Sequence, residues 1–273
     1  MSSILTNTSA MVALQNLKSI NMDLSKTQNE ISTGKSISSA SDNASMWAIS
    51  KVMESDVAGF SAISKSLALG ESTVAVAAAG ADKIVEILKE MKEKIVTATG
   101  ENVDHAKIAA DVTSLKDQIT SIIGAAQFNG KNLLDTAGGD MKVLSSLDRT
   151  SAAVTATSIT VKSVDFTVTL DMTTVDVADS TKANDSLIVV EALIKTAIEG
   201  AAALGSSKGH IEDQQKFISK LVDAMKSGIG ALVDANMEEA SARLQALQVQ
   251  QQLGTQSLSI ANKAPQMILQ LFK

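Results

Sequence analysis

The sequence predicts a mainly α protein: an elongated helical bundle whose N- and C-terminal helices pair as a coiled coil, with a small β region in the middle of the chain. Three observations predict it. Apolar residues recur three and four apart at both ends of the chain, the spacing of a helix that lies along another helix. Between positions 43 and 98 a helical periodicity runs on with no proline to stop it. From Thr136 to Asp185 the composition shifts to Ser, Thr, Val and Asp, with alternation of period two.

The first helix covers residues 4 to 33. Ala10, Ala13, Leu17, Ile20, Leu24, Thr27 and Ile31 fall on heptad spacing, and Met11, Leu14 and Met22 broaden the stripe. Gly34 ends it, because glycine readily takes the left-handed conformation of a helix terminus. A second helix begins near Asn43 with Ser41 or Asp42 as its cap, and carries Ile49, Val52, Met53, Val57, Phe60, Ile63 and Leu67 on one broad face. Its pattern continues through Val74, Ile84, Val85, Leu88, Met91 and Ile95 to Gly100. Gly59, Gly70 and Gly80 each lower helix propensity by about 1 kcal/mol relative to Ala. At ~1.5 Å per residue, positions 43 to 98 make a rod of roughly 80 Å. A third helix runs from about Asp104 to Ala126 with Ile108, Val112, Leu115, Ile119 and Ile122 inward. Asn129-Gly130 marks a turn that allows positive φ at both residues, and the apolar pair Leu133-Leu134 follows it.

Alternation over Ser158–Val161 and Phe166–Leu170 predicts two short strands in the middle region. Its many hydroxyls read as an exposed β hairpin, with O-linked glycosylation as the sharper alternative. Helical periodicity returns at Asn184 with Leu187, Val190, Leu193, Ile194 and Ile198, then Ile211, Ile218, Leu221, Val222 and Met225. Gly205, Gly209, Gly228 and Gly230 are its expected points of bending or breaking. The last helix has a seam of Val233, Met237, Ala240, Leu244 and Leu247, then Leu258 and Ala261, which Gln251 and Gly254 interrupt. Its other faces are Gln, Ser, Thr and Asn with few charges, so they can be buried without the large desolvation penalty of ions. With Met267, Ile268, Leu269, Leu271 and Phe272 beyond, the segment from Asp234 to Lys273 reads as an assembly element. Three divisions follow: residues 1–35 with 234–273, residues 36–135 with 185–233, and the small variable region 136–184.

Composition narrows the function. Only 2% of the 273 residues are aromatic and none is Tyr, so Ala, Ser, Thr, Leu, Ile and Val do the packing, which suits close helix contacts better than a deep ligand pocket. The absence of Cys removes disulfides and thiolate chemistry. A net charge of -6 with no basic stripe argues against nucleic acid as a partner. No apolar run approaches the ~20 residues that span a bilayer, and the first residues lack a Sec-type signal, so no membrane insertion is expected and export would need another route. His210 with Glu212 and Asp213 reads as a charged helix face rather than a metal site, since no second nearby His or Cys completes a ligand set. Paired acids such as Glu238-Glu239 lack a converging pocket. The expectation is therefore no enzyme, no cofactor and no metal.

Specific motifs then place the chain. The run from Ile31-Ser32-Thr33-Gly34-Lys35 through Ser38-Ser39-Ala40-Ser41-Asp42-Asn43-Ala44 resembles a signature of the bacterial flagellins, with Asn43 where many members have Asp. Phe128-Asn129-Gly130-Lys131-Asn132-Leu133-Leu134 is similar to the turn before that family's variable region. Glu238-Glu239-Ala240-Ser241, Ala246-Leu247-Gln248-Val249-Gln250-Gln251-Gln252-Leu253-Gly254, Ser259-Ile260-Ala261-Asn262 and Ala264-Pro265-Gln266 closely resemble its C-terminal pattern. The resemblance covers about residues 1–135 and 185–273. It implies terminal helices lining a filament core, an outer helical rod and a solvent-facing middle. It also implies unfolded export through the flagellar type III apparatus with an export chaperone on the C-terminal helix. The implied partners are other copies of the chain in a helical homopolymer, with hook-associated and cap proteins at its ends, in an extracellular flagellar filament. The expected polymerisation contacts are Ala10, Leu14, Leu17, Ile20 and Leu24 with Leu244, Leu247, Leu253, Leu258 and Leu269. Burying each Leu is worth about 1.5–3 kcal/mol. Two rival readings stand beside it: a hook-filament junction protein, which shares similar termini, and a secreted effector or adhesin that uses the same export route and does not polymerise.

Overall fold

The computed structural model describes the backbone of residues 6–149 and 153–271, and side chains as far as Lys263. Among the described residues the chain is mainly α, in the order α1 (Thr8–Thr33), α2 (Ala44–Ala98), α3 (His105–Ala125), β1 (Gln127–Phe128), β2 (Lys131–Asn132), β3 (Met141–Arg149), β4 (Val154–Val161), α4 (Phe166–Thr169), α5 (Ser180–Val233) and α6 (Met237–Leu271). It divides into two compact units, Met1–Val57 with Ala224–Lys273, and Ala58–Asp223.

In the unit Ala58–Asp223 the apolar periodicity becomes a continuous core. Ile63, Leu67, Val74, Ile84, Leu88, Met91 and Ile95 of α2 are buried with Val112, Leu115, Ile119 and Ile123 of α3, and with Val190, Leu204, Ile211 and Ile218 of α5. Asp104 caps α3 by accepting from the Lys107 backbone N–H at 3.2 Å. Asn129 and Gly130 take φ of 51° and 78° and close the β1–β2 hairpin, as the sequence predicts, which delivers Leu133 and Leu134 into the core.

β3 and β4 form an antiparallel pair in register from Met141↔Val161 to Arg149↔Val154, with an irregularity between Leu144 and Ser146. Val143 is the side chain of β3 that reaches furthest into the core, while β4 is exposed until Ile159 and Val161. Two expectations fail around this hairpin. Phe166–Thr169 is a short helix, not a strand: the Asp165 carboxylate accepts from the Val168 N–H and starts a turn, and Phe166 is wholly buried with its N–H donated to the Leu134 carbonyl at 3.0 Å. Gly205, Gly209, Gly228 and Gly230 do not break α5, and other helix glycines are places where something packs against the helix. A Cβ on Gly70 would stand 2.6 Å from Val143, and one on Gly200 2.6 Å from Val164 and 2.7 Å from Phe166.

Candidate assembly interface

The interface that the sequence points to lies in the unit formed by the chain's two ends. α1 starts at Asn7, whose side chain accepts from the Ala10 N–H at 3.0 Å, and stops at Gly34 with φ 68° in the left-handed region. α2 is capped by Asn43, which accepts from the Met46 N–H at 3.1 Å, and not by Ser41 or Asp42. Asp42 closes the preceding turn instead. Its Oδ2 accepts from the Ser38 and Ser39 N–H groups at 3.0 and 2.9 Å and from both hydroxyls at 3.1 Å. These bonds, the Ser39 N–H foremost, hold its carboxyl below the ordinary 3.8. Nearby, Glu54 bonds Lys51 at 2.6 Å and Lys35 at 3.5 Å, and the Lys51 ammonium is the main cause of its lowered pKa.

α1 and α6 pair antiparallel, which three contacts along their length establish. At one end the Gly34 carbonyl accepts from the Ala235 N–H at 2.9 Å, and the Val233 carbonyl accepts from the Ser36 N–H at 2.7 Å. Midway, Gln251 Nε2 donates to Asn21 Oδ1 at 2.6 Å. At the other end Asn7 Nδ2 donates to the Ala261 carbonyl at 2.8 Å. Between them Thr27, Val233, Ala240 and Leu247 are buried. Gln251 and Gly254, expected to interrupt the seam, are part of it. Leu17 packs against Gly254 so closely that a Cβ there would lie 3.1 Å from Leu17 Cδ1.

The predicted contact residues separate into two groups. Leu247 is buried, and Ala10, Leu17, Ile20, Leu24, Leu244 and Leu258 are half-buried toward the seam within one chain. Leu14 and Leu253 lie off the seam, 56% and 62% exposed. The side chain of Leu269 lies outside those described. A groove of about 620 Å³ follows α1 and α6, lined among others by Val12, Ala13, Ile20, Leu253 and Gly254. Val12, Val249 and Ile260 are also exposed. Spacing centred on the seam passes over them; the signal that finds them is a weaker second stripe on the rest of each helix.

The features weighed for chemistry fall on solvated faces. His210 is exposed on α5, where Glu212 pairs with Lys208 and Asp213 with Lys216, each at 3.3 Å. Among the described residues no group of three or more His, Cys, Asp or Glu is placed to hold a metal ion, and no helix is long and apolar enough to cross a membrane.

Comparison with known proteins falls on the same two ends. Residues 4–138 match the bacterial flagellin N-terminal helical region, and residues 187–272 the bacterial flagellin C-terminal helical region. The chain is 44% identical to a flagellin of Brucella melitensis biotype 1 over the whole of both chains. It is 38% identical to flagellin FljM of Caulobacter vibrioides, covering all of this chain and 99% of that one. Among solved structures it is similar in fold to Bacillus cereus flagellin, with a TM-score of 0.50 and 21% identity over 56% of this chain and 88% of that one. It is also similar to a putative flagellar hook-associated protein from Vibrio parahaemolyticus, with a TM-score of 0.55 and 14% identity over 71% of this chain and all of that one.

Proposed function

Because the chain belongs to the bacterial flagellin family, we propose that it is a structural subunit that polymerises into the helical filament of the bacterial flagellum and serves swimming motility. The observation that carries this reading is the apolar surface left over after α1 and α6 have paired. Met11, Val12, Leu14 and Met22 on α1, and Val249, Leu253 and Ile260 on α6, stand in solvent beside a seam that is already closed. An exposed apolar surface of this kind is relieved by burial against other copies. Since the α1 and α6 surfaces differ, the contact is heterologous, and a rotation that does not close extends it into a filament.

In this reading residues 1–35 with 234–273 make the filament core, residues 36–135 with 185–233 the rod around it, and residues 136–184 face outward. The exposed hydroxyls of Thr155, Thr157, Ser158 and Thr160 on β4 are then available for O-linked sugars, a role that an intact mass equal to the bare polypeptide would dispose of. The subunit works outside the cell, without catalysis, cofactor or metal. It is handed to the flagellar export apparatus by a chaperone, and meets hook-associated and cap proteins at the filament ends.

Seeded growth tests the reading. Full-length protein incubated with short filament seeds should pellet as long filaments in electron micrographs, and a chain ending at Gly254 should not. Full-length protein that stays soluble beside competent seeds would favour a junction protein or a secreted effector.

A further inference from the structure

Asn129 is the one asparagine of the chain that a glycine follows. It sits exposed at the tip of the β1–β2 hairpin with φ of 51°, and Gly130 beside it has φ of 78°. Neither its carboxamide nor the Gly130 N–H makes a hydrogen bond among the described residues. The space beside Gly130 is open, since even an added Cβ would meet nothing within 4 Å. Other asparagines are held or shielded. Asn7 and Asn43 cap helices with their side-chain oxygens. Asn132, in the same hairpin, donates to the Ile123 carbonyl at 2.6 Å and accepts from the Leu134 N–H at 2.8 Å. Asn102 precedes β-branched Val103, whose bulk screens the nitrogen that joins them.

We propose that Asn129-Gly130 is a self-modifying site: the turn deamidates through a cyclic imide, and the isoaspartate that results loosens the helical core behind it. Ring closure requires the peptide plane between the two residues to turn out of its hairpin position. The strands that flank it are two residues long and hold it weakly. Hydroxide takes the Gly130 N–H proton, the nitrogen attacks Cγ of Asn129, and the Cγ–Nδ2 bond breaks. Ammonia leaves once water has returned a proton to it, and nothing is oxidised or reduced. Water then opens the imide. Breaking the new Cγ–N bond gives aspartate, and breaking the bond from that nitrogen to the main-chain carbonyl carbon gives isoaspartate. The second route is favoured, because the amide nitrogen on Cα makes the main-chain carbonyl the more electrophilic. Aspartate keeps the turn, since like asparagine it tolerates positive φ. Isoaspartate routes the main chain through Cβ, which lengthens a two-residue turn by one methylene and puts the pairings Gln127↔Asn132 and Phe128↔Lys131 out of step. Leu133 and Leu134 follow directly, wholly buried, and their carbonyls accept from the Val164 and Phe166 N–H groups at 2.7 and 3.0 Å. A displaced turn therefore pulls on contacts of the core itself.

The test ages full-length protein at mildly alkaline pH and maps its peptides by mass, with electron-transfer fragmentation to separate isoaspartate from aspartate. Isoaspartate at position 129 should exceed that at all other asparagines combined and should accumulate faster as the pH is raised. The urea midpoint of the aged protein should shift downward as it accumulates. Asn129→Gly keeps a turn that accepts positive φ at both residues but removes the carboxamide, so its midpoint should not move under the same treatment. Asn129 left intact under conditions that convert it in the urea-unfolded chain overturns the proposal, because the hairpin then protects it. An unchanged midpoint in protein that carries isoaspartate at 129, or an equal drop in Asn129→Gly, overturns it as well. None of these readouts involves filament growth, so the result is independent of the polymerisation reading.

Discussion

Four hydrogen bonds converge on Oδ2 of Asp42, from the backbone and hydroxyl groups of Ser38 and Ser39. They favour the ionised carboxylate, so its folded-state pKa lies below 3.8 and the unfolded chain binds the proton more tightly. The contribution of this turn to stability is therefore complete above pH 3.8 and is lost as the pH falls through the lower, folded value. A carboxyl titration followed by NMR should give a midpoint below 3.8 for Asp42 in the folded monomer; a midpoint at or above it would sink this account. Glycines give a second residue-scale contrast. Gly70→Ala would drive a Cβ to 2.6 and 2.8 Å from the two methyls of Val143, a stiff β-branched side chain, and should lower unfolding free energy by about 1–3 kcal/mol. Gly205→Ala meets nothing within 4 Å on the same kind of helix and should raise it by about 0.5–1 kcal/mol. Urea melts of the two variants read opposite signs if both arguments hold.

Elements were legible wherever one periodicity dominated. α1, α3 and α6 follow from apolar spacing and from Gly34 and Asp104, because the same side chains that set the pattern do the burying. The Asn129-Gly130 hairpin follows from turn chemistry. What spacing could not give is where one element leans on another. β3 was not singled out, since Met141–Arg149 mixes buried and half-exposed positions with an irregularity at Ser145 and shows no clean alternation. Phe166–Leu170 alternates like a strand, yet the Asp165 cap and the pocket for Phe166 turn it into a helix. Gly254 reads as a gap in a seam until Leu17 is found filling it. The candidate interface was half legible, for the same reason: heptad spacing finds residues that face a partner helix, and here that helix belongs to the same chain. Within the α1–α6 pair, the Asn21–Gln251 hydrogen bond is an exposed polar contact midway along the two helices, placed where it can help set their register. A double-mutant cycle of Asn21→Ala and Gln251→Ala should return a coupling of about 0.5–1.5 kcal/mol. A coupling indistinguishable from zero would assign the register to the apolar residues alone.

For the whole molecule, the division between seam and outer surface predicts that folding and assembly can be separated. Leu14→Ser with Leu253→Ser should leave the circular dichroism spectrum and melting of the subunit nearly unchanged, while seeded elongation slows by about tenfold or more. Leu247→Ala, at a buried seam position, should instead lower stability by about 2–5 kcal/mol. Equal effects of the two changes on melting would show that the surface and the seam are not separate. The hydrogen bond from Asn7 to the Ala261 carbonyl spans 254 positions of sequence, and it sets a timetable. The helix that α1 pairs with lies 230 to 254 positions further along, so α1 is synthesised long before its partner. For as long as synthesis continues, α1 remains a single amphipathic segment with no native mate, free to be held by another protein or drawn through a narrow opening, and it closes only after the residues around Ala261 have arrived.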